Sequence, residues 1–190
     1  MALTQVVTYR GFAARLVELG MVTAGRAAEE LAAAADWRDP DAELPIDERP
    51  AALVELGAAV GVHTEDVGLD GPDLVDAYAD ILTAAAACSG GTVVVEDIAF
   101  TEQEDEDASG DWLLTFTRNG QPMSWTIDDH DEYLDTLSIF ESINDLRPPG
   151  DVQRRFHRLS TSPGADQVYV LASDAQLAVI TGELGLSLLA

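Results

Sequence analysis

The segment that most constrains the fold is WLLTFTRNGQPMSWTI, residues 112–127. Apolar and polar residues alternate on both sides of an Asn-Gly pair, which is the preferred centre of a two-residue type I′ turn. With Asn119 and Gly120 in the turn, the apolar cross-strand pairs are Trp112 with Ile127, Leu114 with Trp125, and Phe116 with Met123. These six side chains share one face, so turn chemistry and hydrophobic pattern predict the same register.

The other face of this predicted hairpin is polar, with Thr115 opposite Ser124. Pro122 lacks a backbone N–H and lies beside the turn, which indicates that its strand is at an edge of the sheet or irregular there. A preceding strand is predicted over 92–100, where β-branched residues are dense. One face of the resulting sheet should therefore cover a core.

Helices are predicted through most of the first ninety residues, and an acidic segment with two prolines at 38–49 interrupts them. The predicted spans are 9–19, with Thr8 as N-cap and Gly20 as the stop, then 25–37, 50–60, and a helix from 72 that ends at the glycines of 89–91.

The C-terminal part alternates strands and helices. A helix over 129–146 is predicted from a capping box of Asp129 and Glu132, with Tyr133, Leu137, Phe140 and Ile143 facing inward. Strands follow at 154–160 and 167–172. A last helix, 174–184, begins with a capping box of Ser173 and Gln176.

This order predicts an α+β fold, in which N-terminal helices precede a largely antiparallel sheet arranged as β, β-hairpin, α, β, β, α, with helices packed on it. The 190 residues fit one domain, with a helical part at 1–90 and a sheet part with two helices at 91–190.

The charge of the chain restricts its partners. The sequence has 35 acidic and 10 basic residues, a net charge of -25, and all the basic residues are arginine. Such a surface repels nucleic acid and anionic lipid, so direct binding to either is not expected. Genomic codon bias, solubility, a salty habitat and a functional acidic face all remain open as explanations of the acidity.

The single cysteine, Cys88, excludes an intramolecular disulfide and favours a reducing cytoplasm, with the thiol acting as a small buried hydrophobe. No signal sequence or run of roughly 20 apolar residues is evident, so neither secretion nor a membrane span is expected.

Motifs for catalysis or for cofactor binding are weak. Residues 105–116 partly resemble a calcium loop, but Phe116 stands where the bidentate glutamate belongs. His63, His130 and His157 lack metal-ligand spacing, and neither a nucleophile elbow nor a phosphate loop occurs. We predict no cofactor and no metal, although a carboxylate pair for hydrolysis stays open because acids are so numerous.

The arginines concentrate near the last strands, at Arg147, Arg154, Arg155 and Arg158. Alternation puts Arg154 and Arg158 on one face of a strand and Arg155 on the other. They either tie the acidic sheet together through charge-assisted pairs or recognise an acidic partner segment.

The segments WLLTFTRNGQPMSW, EYLDTLSIFESIND, RRFHRLS and QVYVLASDAQLAVI resemble the small immunity proteins that accompany bacterial polymorphic toxins. The resemblance covers roughly the C-terminal half. It implies a cytoplasmic, non-enzymatic protein that binds and inhibits a cognate toxin through a preformed negative surface, and such a surface suits toxins with basic clefts.

The predicted partner-binding residues are the acids that flank the hairpin, because pairing of its two strands should bring them together. They are Glu104, Asp105, Glu106, Asp107, Asp111, Asp128, Asp129 and Asp131. Two alternatives stay open: a secretion-type chaperone for an effector, and a carboxylate-based or metal-assisted hydrolase. The sequence does not specify an oligomeric state.

Overall fold

A computed structural model describes residues 7–63, 72–102, 112–127 and 134–189. The helices are α1 (Tyr9–Glu18), α2 (Ala24–Ala34), α3 (Arg49–Glu55), α4 (Pro72–Ala87), α5 (Thr136–Ser142) with a 3-10 turn (Ile143–Leu146), and α6 (Asp174–Gly182). The strands are β1 (Ala59–Val62), β2 (Val95–Glu102), β3 (Trp112–Arg118), β4 (Gln121–Ile127), β5 (Arg154–Arg158) and β6 (Gln167–Ser173). The α+β class is confirmed, but the strands form two antiparallel sheets instead of one.

The first sheet has the order β1-β6-β5. Its central strand, β6, has five consecutive buried residues at 168–172. Val168, Val170 and Ala172 pack with the core residues of α1, α3 and α6. Tyr169 and Leu171 face the other way, against the core residues of α4 and the second sheet. Strand β6 is therefore a wall between two hydrophobic cores.

The second sheet has the order β2-β3-β4, and it confirms the predicted hairpin. Trp112 pairs with Ile127, Leu114 with Trp125, Thr115 with Ser124, and Phe116 with Met123. Strand β4, with Pro122, lies at an edge of the sheet, as the missing N–H requires. The apolar face covers the core shared with α4 and α5, while Ser124 and Thr126 on the other face are exposed.

Two helix starts follow the predicted capping chemistry. The Thr8 hydroxyl accepts a hydrogen bond from the Gly11 N–H at 3.0 Å, and α1 ends before Gly20, which has a φ of 68°. The capping box of Ser173 and Gln176 opens α6 directly after β6. Local sequence therefore sets both of these junctions.

The predicted helix over 50–60 is wrong in its last part. Helix α3 ends at Glu55, and Gly57, with a φ of 74°, turns the chain into strand β1. Ala59, Val60 and Val62 are all buried, so β1 shows no polar alternation that would distinguish it from a helical turn.

The predicted helix over 129–146 is also wrong in its start and in two of its inward residues, Leu137 and Phe140, whereas Ile143 is buried as predicted. The N-cap is Asp135, whose carboxylate accepts hydrogen bonds from the N–H groups of Leu137 and Ser138. Leu137 and Phe140 are 64% and 48% exposed, whereas Ile139, Ile143 and Leu146 are buried. Two sets of apolar residues at helical spacing overlap in this segment, Leu137 with Phe140 and Ile139 with Ile143 and Leu146. The second set is the one that packs in the core. Asp129, Glu132 and Tyr133 lie outside the described residues.

A candidate acidic interaction surface

The eight acids predicted to bind a partner all lie outside the described residues, in 103–111 and 128–133. The strand ends that lead into these two segments are described. Glu102 pairs with Trp112, and Trp112 pairs with Ile127, so both segments start from one end of the second sheet. Their clustering stays a prediction.

Eight of the ten arginines bind within the chain. Five form ion pairs: Arg10 with Asp41, Arg15 with Glu18 and Glu183, Arg26 with Glu30, Arg38 with Glu48, and Arg154 with Asp151. Three more donate to backbone carbonyl oxygens: Arg49 to Leu44 and Leu184, Arg118 to Arg147, and Arg147 to Asn144. These contacts favour the structural interpretation for Arg147 and Arg154, because the charge of these two side chains is used inside the fold.

The best-described acidic surface is residues 36–48, which we call the acidic connector. It joins α2 to α3 and holds six carboxylates against one arginine. Although it lacks helical or strand periodicity, it is fixed to the start of α1. Leu44 donates a backbone hydrogen bond of 2.7 Å to Val7, and the Leu44 side chain is buried. Its acids are thus held on a fixed backbone.

Four of its carboxylates form no ion pair with any residue that the structure describes. Within the described part of the chain, the connector's ion pairs are Arg10–Asp41 at 2.7 Å and Arg38–Glu48 at 2.9 Å. The hydrogen bond from Arg10 lowers the pKa of Asp41. The remaining acids, which are all exposed, are Asp36, Asp39, Glu43 and Asp47. This surface therefore carries uncompensated negative charge.

An exposed tryptophan lies within this acidic surface. Trp37 is 61% exposed, and the Arg38 guanidinium lies 4.7 Å from its ring centroid. The same guanidinium carbon lies 5.0 Å from the ring centroid of Tyr9. Burial, and then the nearby Glu55 carboxylate, raise the pKa of Tyr9 to about 12, so its phenol stays neutral. The guanidinium therefore contacts both rings, of which only that of Trp37 is exposed, and we call these three side chains the Trp37 cluster.

A depression of about 360 Å³ adjoins the Trp37 cluster. Its lining residues are Tyr9, Trp37, Arg38, Asp39, Ala42, Glu43, Leu44, Pro45 and Glu48. The sequence pattern predicted Trp37 as the end of a helix and residues from 38 as a connector, whereas α2 ends at Ala34, so the surface was missed. The one available signal was a large aromatic residue in an acidic segment that contains prolines, since the contact of Arg38 with Tyr9 joins residues distant in sequence.

A second, larger cavity of about 620 Å³ lies between α3, β1 and the turn before β6. His63 Nδ1 and Asp166 Oδ2 are 2.9 Å apart at this cavity, which Asp47, Glu55 and Ser162 also line. In the described ranges, no hydroxyl hydrogen-bonds to His63, so the pair does not extend to a nucleophile.

Other reactive groups have structural surroundings. Burial raises the pKa of the Cys88 thiol to about 12, which makes it a poor nucleophile at neutral pH. The side chain packs against the core of α4 and the second sheet, but it is half-buried and not fully buried as predicted. Burial, aided by Arg155, lowers the pKa of His157. His130 and most of the partial calcium loop, 105–111, lie outside the described residues.

Among the residues whose positions are described, no three His, Cys, Asp or Glu side chains are arranged to hold a metal ion. No helix in the same ranges is long and apolar enough to cross a bilayer. Comparisons of the chain with known protein families, with curated proteins and with solved structures find no match. The acidic connector and its tryptophan are therefore interpreted from their chemistry alone.

Proposed function

We propose that the protein is an acidic inhibitor of the immunity or antitoxin type, which binds a cognate toxin and blocks its active surface. The observation that carries this proposal is the net charge of -25 in a chain where eight of the ten arginines bind internally. The partner would be a protein with a positively charged cleft, such as a toxin that acts on nucleic acids or nucleotides. The cytoplasm would be the place of action.

Charge and rigidity support this function in different ways. A strongly negative surface accelerates encounter with a positive partner and disfavours partners of the same charge. A preformed surface loses little conformational entropy on binding, so more of the contact energy remains as affinity. The acidic connector combines both properties, because its free carboxylates lie on a backbone bonded to the start of α1.

The direct test is calorimetric titration of the purified protein with the product of the adjacent gene, at low and at high salt. We expect nanomolar binding that weakens steeply as salt rises, because exposed charges more than about 10 Å apart are screened at 0.1 M salt. The same preparation should inhibit the partner's activity at a stoichiometric ratio. Absence of binding at both salt concentrations would contradict the proposal, and so would binding without inhibition.

A further inference from the structure

We propose that Trp37 and the depression beside it are the docking site for the basic partner, with the Trp37 indole inserted into an apolar recess on that partner. This inference rests on the proposed function and assigns it a location. The predicted acids of the hairpin end would then add long-range attraction without making the central contact.

The exposure of Trp37 is the first observation that supports this location. Tryptophan is the side chain most enriched among residues that dominate binding energy at protein interfaces, where it fills a pocket on the partner. Trp37 is 61% exposed, although it could bury a large apolar area. Contact with a partner would remove that area from water.

The contact of Arg38 with Trp37 is the second observation. The Arg38 guanidinium carbon lies 4.7 Å from the Trp37 ring centroid and 5.0 Å from that of Tyr9, and its Nη2 donates to Glu48 Oε2 at 2.9 Å. Tyr9 is itself 1% exposed, so Arg38 is held against a core residue. Because Trp37 is supported in this way before binding, ordering its side chain in a complex costs little entropy.

The charge around Trp37 identifies the kind of occupant. Asp36 and Asp39 are its neighbours in sequence, and Glu43 lines the same depression; all three are exposed and outside any described ion pair. A partner that covers Trp37 must place its own surface against these carboxylates. Lysine and arginine side chains around an apolar recess satisfy this requirement, whereas an acidic or wholly apolar surface does not.

Ile46 provides a matched control within the same connector. Its side chain is 60% exposed, almost equal to Trp37, but it does not line the depression. Replacing either residue by alanine removes exposed apolar area from the connector. Only Trp37→Ala removes the proposed anchor.

The experiment measures the Kd of the adjacent gene's product for the wild type, Trp37→Ala, Ile46→Ala and Glu43→Gln, with thermal unfolding of each variant. We expect Trp37→Ala to weaken binding about 30-fold, the loss typical of a dominant interface residue, and Ile46→Ala to change it less than about threefold. Glu43→Gln should reduce the salt dependence of binding while leaving the unfolding temperature unchanged.

The outcomes separate this inference from the proposed function. If the wild type binds and Trp37→Ala binds equally well, the docking site lies elsewhere, although the inhibitor function stands. A further variant with Asp105→Asn and Asp107→Asn would then locate the contact at the hairpin end if it alone lost binding. If the wild type does not bind, the proposed function fails and the docking site fails with it.

Discussion

The two sheets bury their residues in different ways. In the first sheet, β6 has neighbours on both edges and packs a core on both faces, so five consecutive residues at 168–172 are buried. In the second sheet, β4 is an edge strand, and Trp125 is buried while its neighbours Ser124 and Thr126 are exposed. The hydrophobic run of β6 and the alternation of β4 are the sequence records of these two environments.

The difference shows where each sheet obtains its specificity. A continuous apolar strand carries no alternation to set its facing, so its position depends on the helices and strands around it. An alternating hairpin specifies its own register, because a slip of one residue would expose its apolar face. We therefore expect the first sheet to be sensitive at every position of β6 and the second to be sensitive at every other position of β4.

The largest effects should come from charges placed in β6. Val170→Asp and Leu171→Asp each put an unpaired carboxylate into one of the two cores, so each should destabilise the fold by more than about 4 kcal/mol. Urea unfolding followed by circular dichroism measures this loss. Tolerance of either variant would show that β6 has one solvated face and would break the comparison.

The same substitution in β4 should depend on position. Trp125→Asp should be as damaging as the β6 variants because Trp125 is 2% exposed. Ser124→Asp should change the free energy of unfolding by less than about 0.5 kcal/mol, as is usual for exposed sites. Equal losses in the two variants, by the same urea titration, would contradict a one-sided second sheet.

A smaller loss is expected at the hairpin turn. Asn119 adopts a φ of 51°; its side-chain oxygen accepts from the Val94 N–H at 2.7 Å, and its amide donates to the Thr92 carbonyl at 3.1 Å. Asn119→Ala removes both bonds and favours the left-handed region less, so it should cost about 2 kcal/mol.

Asn119→Gly is the control for this turn, because it loses both side-chain hydrogen bonds but adopts the positive φ freely. Its loss, measured by the same unfolding titration, should be intermediate. If both variants matched the wild type, the turn would not be what holds β2 to the hairpin.

The junction of β6 and α6 should be less sensitive still. Ser173→Ala breaks the capping box at the helix start and should cost about 1 kcal/mol, whereas Ser173→Thr should retain most of the stability. Thermal unfolding of the two variants gives the comparison. A loss as large as that of Val170→Asp or Leu171→Asp would mean that capping of α6, and not burial, positions β6.

The smallest effect should be the loss of stability at acid pH that depends on Asp151, just before β5. Hydrogen bonds from the Arg154 side chain, then from the backbone N–H groups of Arg154 and Gln153, lower the pKa of Asp151 from 3.8 to about 2. A carboxylate with a lowered folded-state pKa stabilises the fold above its unfolded pKa and loses that contribution as the pH falls toward 2.

Asp151→Asn should therefore flatten the dependence of stability on pH between roughly pH 4 and 2, within the general acid loss expected of a chain rich in carboxylates. Unfolding titrations across this range test it, with Asp41→Asn as a second carboxylate whose pKa an arginine lowers. An unchanged slope in Asp151→Asn would contradict the assigned role of Asp151.

How far the fold could be predicted depended on whether local signals agreed. The hairpin register was predictable because the Asn-Gly turn and the alternating residues specify it independently. Strand β1 was missed because four residues with a continuous apolar character fit a helix or a strand equally well. The start of α5 was misplaced because Asp129 and Asp135 both suit an N-cap, and only packing distinguishes them.

The candidate site was less predictable than the fold. The predicted acids lie outside the described residues, and the surface around Trp37 depends on contacts between α1 and the connector that no periodicity reveals. Ion pairing of the arginines was one of two predicted roles, and Arg154 with Asp151 now supports it. Local patterns thus predicted elements, whereas the surface arises from contacts between residues distant in sequence.

The position of β6 as the wall between the cores also affects synthesis of the chain. Its pairing partner β1 leaves the ribosome more than one hundred residues earlier, since Ala59 pairs with Val170. Until β6 emerges, Phe12, Leu16 and Leu53 have no wall to pack against. Because β6 must be synthesised before these side chains can pack against it, we expect the first core to close only after most of the chain has left the ribosome.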